Sequence, residues 1–214
     1  MIINQEFSKE LALKLLEINA VVLRPHEPFK WTSGWNSPIY CDNRLTMRYP
    51  ELRSKIADEI AAFVKSTYPE VHVITGTATA GIPHAAWIAD RLGKPMAYVR
   101  GKPKTHGTTS QIEGGVKKDE QTVIIEDLIS TGESAITAAE VLRFVGAKVT
   151  GVVSIFNYGF DVANKRFKDA GIELHCLTDY ETLISIGVRH GYVAQKDLEL
   201  LNNWRKKPEV WPNG

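Results

Sequence analysis

Two adjacent carboxylates and a hydroxyl-rich turn form the stretch of this 214-residue chain that is best suited to chemistry. Glu126 and Asp127 follow the β-branched apolar residues 123–125, which predict the end of a buried parallel strand. Residues 130–134 read Ser-Thr-Gly-Glu-Ser and lead into a predicted helix. Unpaired N–H groups and the helix dipole at such a turn favour an anion. The carboxylates would repel an anion, so they suit the vicinal hydroxyls of a sugar.

This stretch resembles the phosphoribosyl-pyrophosphate fingerprint of the type I phosphoribosyltransferases, in which apolar residues, Glu-Asp and two apolar residues precede Ser/Thr-Thr-Gly-x-Ser. The resemblance implies that Glu126 and Asp127 hold the ribose hydroxyls. It also implies that the donor is bound by the residues that follow them, with the 5-phosphate on the last five: Leu128, Ile129, Ser130, Thr131, Gly132, Glu133 and Ser134. An ordinary strand–turn–helix with a capping hydroxyl is the alternative. The acidic pair joined to the turn favours the phosphate site.

A run of basic residues follows the strand predicted at 95–100. Arg100, Lys102, Lys104 and His106 occupy every second position with no acidic residue among them, and glycines flank the segment 101–115. An extended lid would place all four on one side, although a solvated face is the commoner role of a charge run. This segment resembles the mobile catalytic loop of the family, which reaches into the active site of the neighbouring subunit. The resemblance implies that Arg100, Lys104 and His106 bind the donor, with Lys102 compensating for Gly101.

An aromatic, turn-rich stretch covers residues 28–44 and is predicted to be irregular. Aromatic residues usually pack on the core, but three short motifs here resemble the N-terminal hood of orotate phosphoribosyltransferases: Ser-Gly at 33–34, Ser-Pro-Ile-Tyr at 37–40 and Asp-Asn-Arg at 42–44. That hood covers the planar base. Thr32 stands where some members carry a donor-binding lysine. The resemblance implies that Ser130 lies near orotate.

The residue that binds the orotate carboxylate is less obvious. Some relatives offer an arginine after the strand predicted at 147–156, whereas residues 157–159 of this chain include no basic side chain. We therefore take Arg44, in the predicted hood, as the candidate partner of the carboxylate.

Gly76 and Gly81 flank a turn of small residues after another predicted strand. Their spacing matches a P-loop, but Ile82 and Pro83 replace the Lys-Ser/Thr that would hold phosphate and magnesium. The turn therefore has two interpretations, a second anion cradle or close packing of strand on helix. Similarity to the family's pyrophosphate loop favours the cradle, although Ala80 stands where some relatives place a lysine.

Alternating strands and helices predict an α/β protein with a parallel sheet and ligands at the carboxyl ends of the strands. Helices are predicted at 5–19, 50–67, after 83 to about 93, from the turn at 130–134 to 146, 162–170, 179–186 and 196–207. Strands are predicted at 21–23, 71–74, 95–100, 123–125, 147–156 and 172–177. We expect a single phosphoribosyltransferase domain over residues 1–214, with a small hood largely from 1–45 and a mobile lid at about 101–115.

The composition excludes several classes of protein. The net charge is +1, from 26 basic and 25 acidic residues, so the basic field of a nucleic-acid-binding protein is missing. Cys41 and Cys176 predict neither a disulfide framework nor a metal site. No signal peptide or membrane-spanning run is evident. We therefore expect a soluble cytoplasmic protein that acts on small molecules.

The expected activity is transfer of a phosphoribosyl group from phosphoribosyl pyrophosphate to orotate in pyrimidine biosynthesis, with Mg²⁺ bound mainly through substrate and water. Lys104, His106, Glu126 and Asp127 are the predicted catalytic residues. The family's shared lid implies a homodimer. Two alternatives remain open: a phosphoribosyltransferase of the same fold that acts on a purine base, and a regulatory protein that binds the donor without turnover.

Overall fold

The computed structural model describes residues 1–31, 34–101 and 111–211. The helices are α1 (Gln5–Glu17), α2 (Pro50–Thr67), α3 (Gly81–Leu92), α4 (Glu133–Phe144), α5 (Asp161–Ala170), α6 (Tyr180–Arg189) and α7 (Leu198–Lys206). The strands are β1 (Val21–Leu23), β2 (Phe29–Lys30), β3 (Asn36–Ser37), β4 (Ile39–Cys41), β5 (Val73–Thr77), β6 (Met96–Val99), β7 (Ile112–Glu113), β8 (Gln121–Ile129), β9 (Lys148–Asn157) and β10 (Leu174–Asp179).

Six of these strands form the central sheet in the order β10-β9-β8-β5-β6-β7. Every pair in it is parallel except β6 with β7. The predicted α/β fold with a parallel sheet is therefore confirmed. From β5 the chain proceeds outward to β6, and from β8 it proceeds outward in the opposite direction to β9 and β10. The order reverses between β5 and β8, where open α/β sheets bind ligands.

Alternate residues of β8 face opposite sides of the sheet, as the two-residue repeat of a strand requires. Val123 and Ile125 belong to one hydrophobic core, with side chains of α1, α2, α3, α6 and α7. Ile124 belongs to the other core, with side chains of α4 and α5. This double burial explains why the strand reads as a continuous apolar run.

The N-termini of the helices differ in how they are capped. Asn4 accepts hydrogen bonds from the amides of Glu6 and Phe7 at the start of α1, and Asp179 accepts one from Thr182 in α6. Helices α3 and α4, which follow β5 and β8, receive no side-chain cap at Ala80 or Gly132. Both N-termini therefore bring unpaired amides to the point where the strand order reverses.

Residues 28–44 are more regular than predicted. Strands β2 and β3 pair with each other, β1 pairs with β4, and a 3₁₀ helix covers Asn43–Arg48. Strand β1 was predicted at 21–23, whereas β2, β3 and β4 are two or three residues long and no pattern in the sequence identified them. At the other end of the predicted lid, Ile112–Glu113 joins the sheet as β7.

Candidate active site

The acidic pair lies within β8, where the neighbouring strand on one side stops. Pairing with β5 ends at Ile125, opposite Gly76, whereas pairing with β9 continues through Glu126 to Ile129. The prediction that the strand ends before the acids is therefore wrong for one edge and correct for the other. Because β5 offers no partner beyond Ile125, Glu126 and Asp127 border the crevice at the reversal of strand order.

Burial holds this pair partly protonated. Glu126 is only 6% exposed. Removal from water, with the adjacent Asp127 charge as the second cause, raises the pKa of Glu126 from 4.5 to about 8. Burial also raises the pKa of Asp127 above 3.8. The Asp127 amide donates to Glu126 Oε1 at 3.2 Å. The two carboxyls can therefore offer one proton and several acceptor oxygens to a diol.

A buried asparagine fixes the backbone of the pair. Asn43 Nδ2 donates to the Asp127 carbonyl oxygen at 2.6 Å, and the Asn43 side chain is fully buried. Next to it, the Asp42 amide donates to the Ala20 carbonyl at 2.7 Å. The first bond connects the N-terminal segment to the strand that carries the acids, and the second holds that segment together.

The turn at 130–132 requires glycine at its last position. Gly132 has φ +76°, and a Cβ there would lie 2.9 Å from Phe167 Cε2. A larger residue would therefore be strained in its backbone and would contact the ring of α5. Arg166, also on α5, donates from Nη1 to the Thr131 carbonyl at 2.8 Å. Helix α5 thus supports the turn from behind and leaves the α4 N-terminus open.

A cavity of about 460 Å³ lies on one side of this turn. We call it the hood cavity, and it is lined by Lys30, Trp31, Trp35, Tyr40, Cys41, Leu128, Ser130, Thr131, Glu133 and Tyr158. Its walls are mainly aromatic, with hydroxyls contributed by the turn. Such a cavity suits a planar ring that carries a few polar groups.

A second cavity of about 320 Å³ lies on the other side of the turn. We call it the Arg100 cavity, and it is lined by Thr77, Ala78, Val99, Arg100, Gly101, Thr131, Glu133, Ser134, Thr137 and Ala138. Small side chains, hydroxyls, an arginine and the start of α4 suit a phosphate group. Arg100 also pairs with Glu113 at 3.5 Å.

The glycines after β5 bring backbones together. A Cβ on Gly81 would lie 2.5 Å from the Ile125 carbonyl oxygen, and one on Gly76 would lie 2.9 Å from the Gly81 oxygen. Close packing, one of the two interpretations of these glycines, is thus observed. The same packing brings Thr77 and Ala78 to the wall of the Arg100 cavity.

The structure brings most of the predicted site residues together at the turn, with three exceptions. Ile129 is buried in the core, and its carbonyl accepts from the Tyr158 amide, so its side chain cannot meet a ligand. Leu128 lines the hood cavity and not the Arg100 cavity. Arg44 Nε and Nη2 bind the two carboxylate oxygens of Asp42 at 2.6 and 2.9 Å, outside both cavity linings. Lys102, Lys104 and His106 lie outside the described residues.

Sequence reasoning missed residues that reach the site from distant parts of the chain. Trp204 of α7 is buried, donates from Nε1 to the Asn36 carbonyl at 3.1 Å, and crosses the Trp31 ring edge to face at 5.7 Å. Tyr158 contacts Trp31 at 5.2 Å between ring centroids. Leu201 and Trp204 of α7 are buried in the core, but no sequence signal indicated that this core supports the hood cavity.

The donor set for a metal is small. No cluster of three or more His, Cys, Asp or Glu side chains with metal-binding geometry occurs in the described ranges. Glu126 and Asp127 alone supply adjacent carboxylates at the crevice. This set fits Mg²⁺ that is held chiefly by substrate and water, because Mg²⁺ retains several waters. None of the helices in these ranges has the length and apolar character that a membrane crossing needs.

Comparison with known proteins agrees with this geometry. Residues 50–188 match the family described as phosphoribosyl transferase domain. The chain is 52% identical to the orotate phosphoribosyltransferase of Cytophaga hutchinsonii, covering 96% of this chain and 98% of that protein. It is also 52% identical to the orotate phosphoribosyltransferase of Enterococcus faecalis, covering 95% and 97%.

Solved structures extend the similarity to three dimensions. The crystal structure of orotate phosphoribosyltransferase from Aeropyrum pernix superimposes with a TM-score of 0.73 at 30% identity. The superposition covers 86% of this chain and 99% of that one. The likeness therefore extends over most of the chain.

Proposed function

Because the chain belongs to the orotate phosphoribosyltransferases of the phosphoribosyl transferase domain family, we propose that it converts orotate and phosphoribosyl pyrophosphate to orotidine monophosphate and pyrophosphate. One observation carries this function. A single turn separates an aromatic cavity from a phosphate-compatible one, beside the buried carboxyl of Glu126 and the half-buried carboxyl of Asp127. A base, a sugar and a diphosphate, joined through one anomeric carbon, need these three environments side by side.

The acidic pair stabilises the sugar as charge develops. Breaking the anomeric carbon–oxygen bond places positive charge on the ribose and negative charge on the departing pyrophosphate. Glu126 and Asp127 bind the ribose hydroxyls, and a growing positive charge favours their ionised forms. Since burial raises both pKa values, the pair interacts more strongly with the transition state than with the neutral sugar.

Cations stabilise the leaving group on the opposite side of the turn. Arg100 lines the cavity there, and its bond to Glu113 is long enough at 3.5 Å for a diphosphate to replace it. The amides at the start of α4 and the hydroxyl of Ser134 receive the 5-phosphate. Lys104 and His106 complete the charge neutralisation when the lid covers the site.

Mg²⁺ is the proposed cofactor, and it would neutralise part of the diphosphate charge. Glu126 and Asp127 would contribute to its surroundings, with most ligands coming from substrate oxygens and water. We also propose that the protein works as a cytoplasmic homodimer in which each lid serves the partner's site. The basic residues at every second position of the predicted lid support this arrangement, and so does the family membership.

The test is pyrophosphate release from purified protein given phosphoribosyl pyrophosphate, Mg²⁺ and one base at a time. We expect release with orotate and none with hypoxanthine or adenine. Release with a purine alone would assign the chain to purine chemistry. Donor binding without release with any base would assign it to a regulatory class.

The Lys104→Ala variant tests the role of the lid. The negative charge on the leaving group is larger in the transition state than in the bound donor, so the lysine should contribute more to turnover than to affinity. We expect the single-turnover rate to fall by about 100-fold and the donor dissociation constant to rise less than about fivefold. Equal losses in the two measurements would contradict this role.

A further inference from the structure

Among the side chains that line the hood cavity, one is basic and one is acidic, Lys30 and Glu133. We propose that Lys30 binds the carboxylate of the base and thereby selects orotate over uracil-type rings. The proposal rests on the function given above and names the residue that recognises the charged group of its substrate. It replaces our candidate from the sequence, Arg44 in the 3₁₀ helix, with a lysine on strand β2.

The backbone at Lys30 is held firmly. Lys30 pairs with Asn36 across β2 and β3, and the next residue, Trp31, donates its amide to the Trp35 carbonyl at 2.9 Å. The Gly34 amide also donates to the Trp31 carbonyl at 2.9 Å. The Trp31 indole in turn donates from Nε1 to the Ile39 carbonyl at 3.2 Å. A fixed backbone presents the lysine stem at a defined point of the cavity wall.

The ammonium group itself is uncommitted. The side chain of Lys30 is exposed, and it forms no hydrogen bond or ion pair with any residue in the described ranges. A free ammonium beside aromatic walls can bind an incoming carboxylate without first losing another partner. Because those walls exclude water from the ring, a carboxylate entering with it needs a cation to replace its hydration.

Three arginines in the part of the chain that the structure describes are already engaged. Arg44 makes its two-pronged pair with Asp42, and Arg166 donates to the Thr131 carbonyl behind the turn. Arg24 lies 5.0 Å from the centre of the Phe29 ring, on the outer part of the hood. Using any of these for the substrate would break a contact, whereas using Lys30 breaks no hydrogen bond or ion pair with residues 1–31, 34–101 or 111–211.

The acidic member of the cavity does not cancel this charge. Glu133 is exposed and lies 3.9 Å from Arg166, at the junction of the two cavities. Lys30 belongs only to the hood cavity. The positive end of the hood cavity is therefore at β2. A ring that binds with its carboxylate toward β2 has its opposite edge toward the turn.

The test compares two nucleotides that differ only in this carboxylate. Titration calorimetry would measure dissociation constants of orotidine monophosphate and uridine monophosphate for the wild type, Lys30→Met and Lys30→Arg. Lys65→Met is the matched control, because it removes an exposed lysine from the last turn of α2, away from both cavities. Pyrophosphate release with orotate by the wild type, measured in parallel, reports separately on the proposed function.

We expect Lys30→Met to weaken orotidine monophosphate about 10- to 100-fold, the effect of losing one charge-assisted hydrogen bond. Uridine monophosphate should bind as it does to the wild type, Lys30→Arg should retain most of the selectivity, and Lys65→Met should change neither constant. Equal weakening of both nucleotides would overturn the proposal, because it would indicate a distorted hood. Unchanged binding of orotidine monophosphate would also overturn it, and a selective loss in Arg44→Ala would then return the role to Arg44. A wild type that releases no pyrophosphate with orotate would instead refute the function itself.

Discussion

The two cavities share Thr131 and Glu133 but differ in nearly everything else. The hood cavity is walled by rings from the N-terminal segment and from the end of β9. The Arg100 cavity is walled by small residues that follow β5, β6 and β8. One turn therefore separates a surface that excludes water from one that offers amides and a cation.

The contrast shows how the two parts of a substrate are recognised by different physical means. A phosphate is recognised by backbone amides at helix N-termini, which any strand–turn–helix can supply. A planar base needs shaped apolar walls, and these come from side chains far apart in the chain. Variants that act on the shared turn, on the strand before it or on one wall alone should separate these contributions.

Substitution of Gly132 should have the largest effect, because it alters the element common to both cavities. In Gly132→Ala, the added methyl group meets Phe167 and the backbone must keep φ +76°. We expect kcat/KM to fall by about 100-fold or more for donor and base alike, together with a loss of ~1–2 kcal/mol in the free energy of unfolding. Steady-state kinetics and chemical denaturation measure both.

Gly171→Ala is the matched control for that variant. Gly171 also has positive φ, +61°, at the C-terminus of α5, but a Cβ there would meet no atom within 4 Å. Gly171→Ala should lower the free energy of unfolding by about 1 kcal/mol and leave the activity unchanged. If Gly171→Ala lost activity to the same degree, the loss in Gly132→Ala would be a general consequence of destabilisation.

The acidic pair gives the next largest effect, and it appears in the pH dependence of stability. Folding raises the pKa of Glu126 from 4.5 to about 8, so within that range the folded protein keeps a proton that the unfolded chain releases. Stability contributed by this group therefore falls as the pH rises through that range, and it levels off above it. A glutamine at this position has no charge to bury.

We expect Glu126→Gln to raise the free energy of unfolding by about 2 kcal/mol near pH ~9, with the difference vanishing near pH ~5. Denaturation at several pH values would measure it. The same variant should lose turnover, since glutamine cannot ionise as the ribose becomes positive. If the difference in the free energy of unfolding between the variant and the wild type were the same at all pH values, Glu126 would not titrate across this range. If the selectivity between orotate and purines were unchanged in the variant, the acidic pair would serve the sugar alone.

The part of the site that is contiguous in the sequence could be predicted. The part that is formed by residues far apart in the chain could not. Residues 126–134 carry their chemistry in one uninterrupted sequence, so the strand, the turn and the uncapped helix could be recognised from residue types and spacing. The residue at which the strand ends could not be predicted, because it depends on which neighbouring strand continues to pair beyond Ile125. The contact between Asn43 and Asp127 spans 84 residues, and that between Trp204 and Asn36 spans 168. No local periodicity encodes such pairings.

Trp204 allows the smallest and most selective prediction, because it supports one cavity and leaves the other alone. Its indole N–H donates to the Asn36 carbonyl in β3, and its ring packs against Trp31 in the cavity wall. Trp204→Phe keeps an aromatic ring in place and removes the hydrogen bond. We expect the KM for orotate to rise about fivefold, as for the loss of one neutral hydrogen bond, with the KM for phosphoribosyl pyrophosphate unchanged.

The control for this variant is another tryptophan-to-phenylalanine change of similar size. Trp87 on α3 packs against His84 at 5.4 Å and against Arg53, and it lines neither cavity. Trp87→Phe should therefore leave both KM values as they are. If Trp204→Phe raised the KM for orotate and the KM for phosphoribosyl pyrophosphate together, the hood and the turn would act as a single unit. The conclusion that the two cavities recognise different parts of the substrate independently would then be wrong. A rise confined to orotate would show that α7, at the far end of the chain, sets the fit of the base without touching the chemistry of the sugar phosphate.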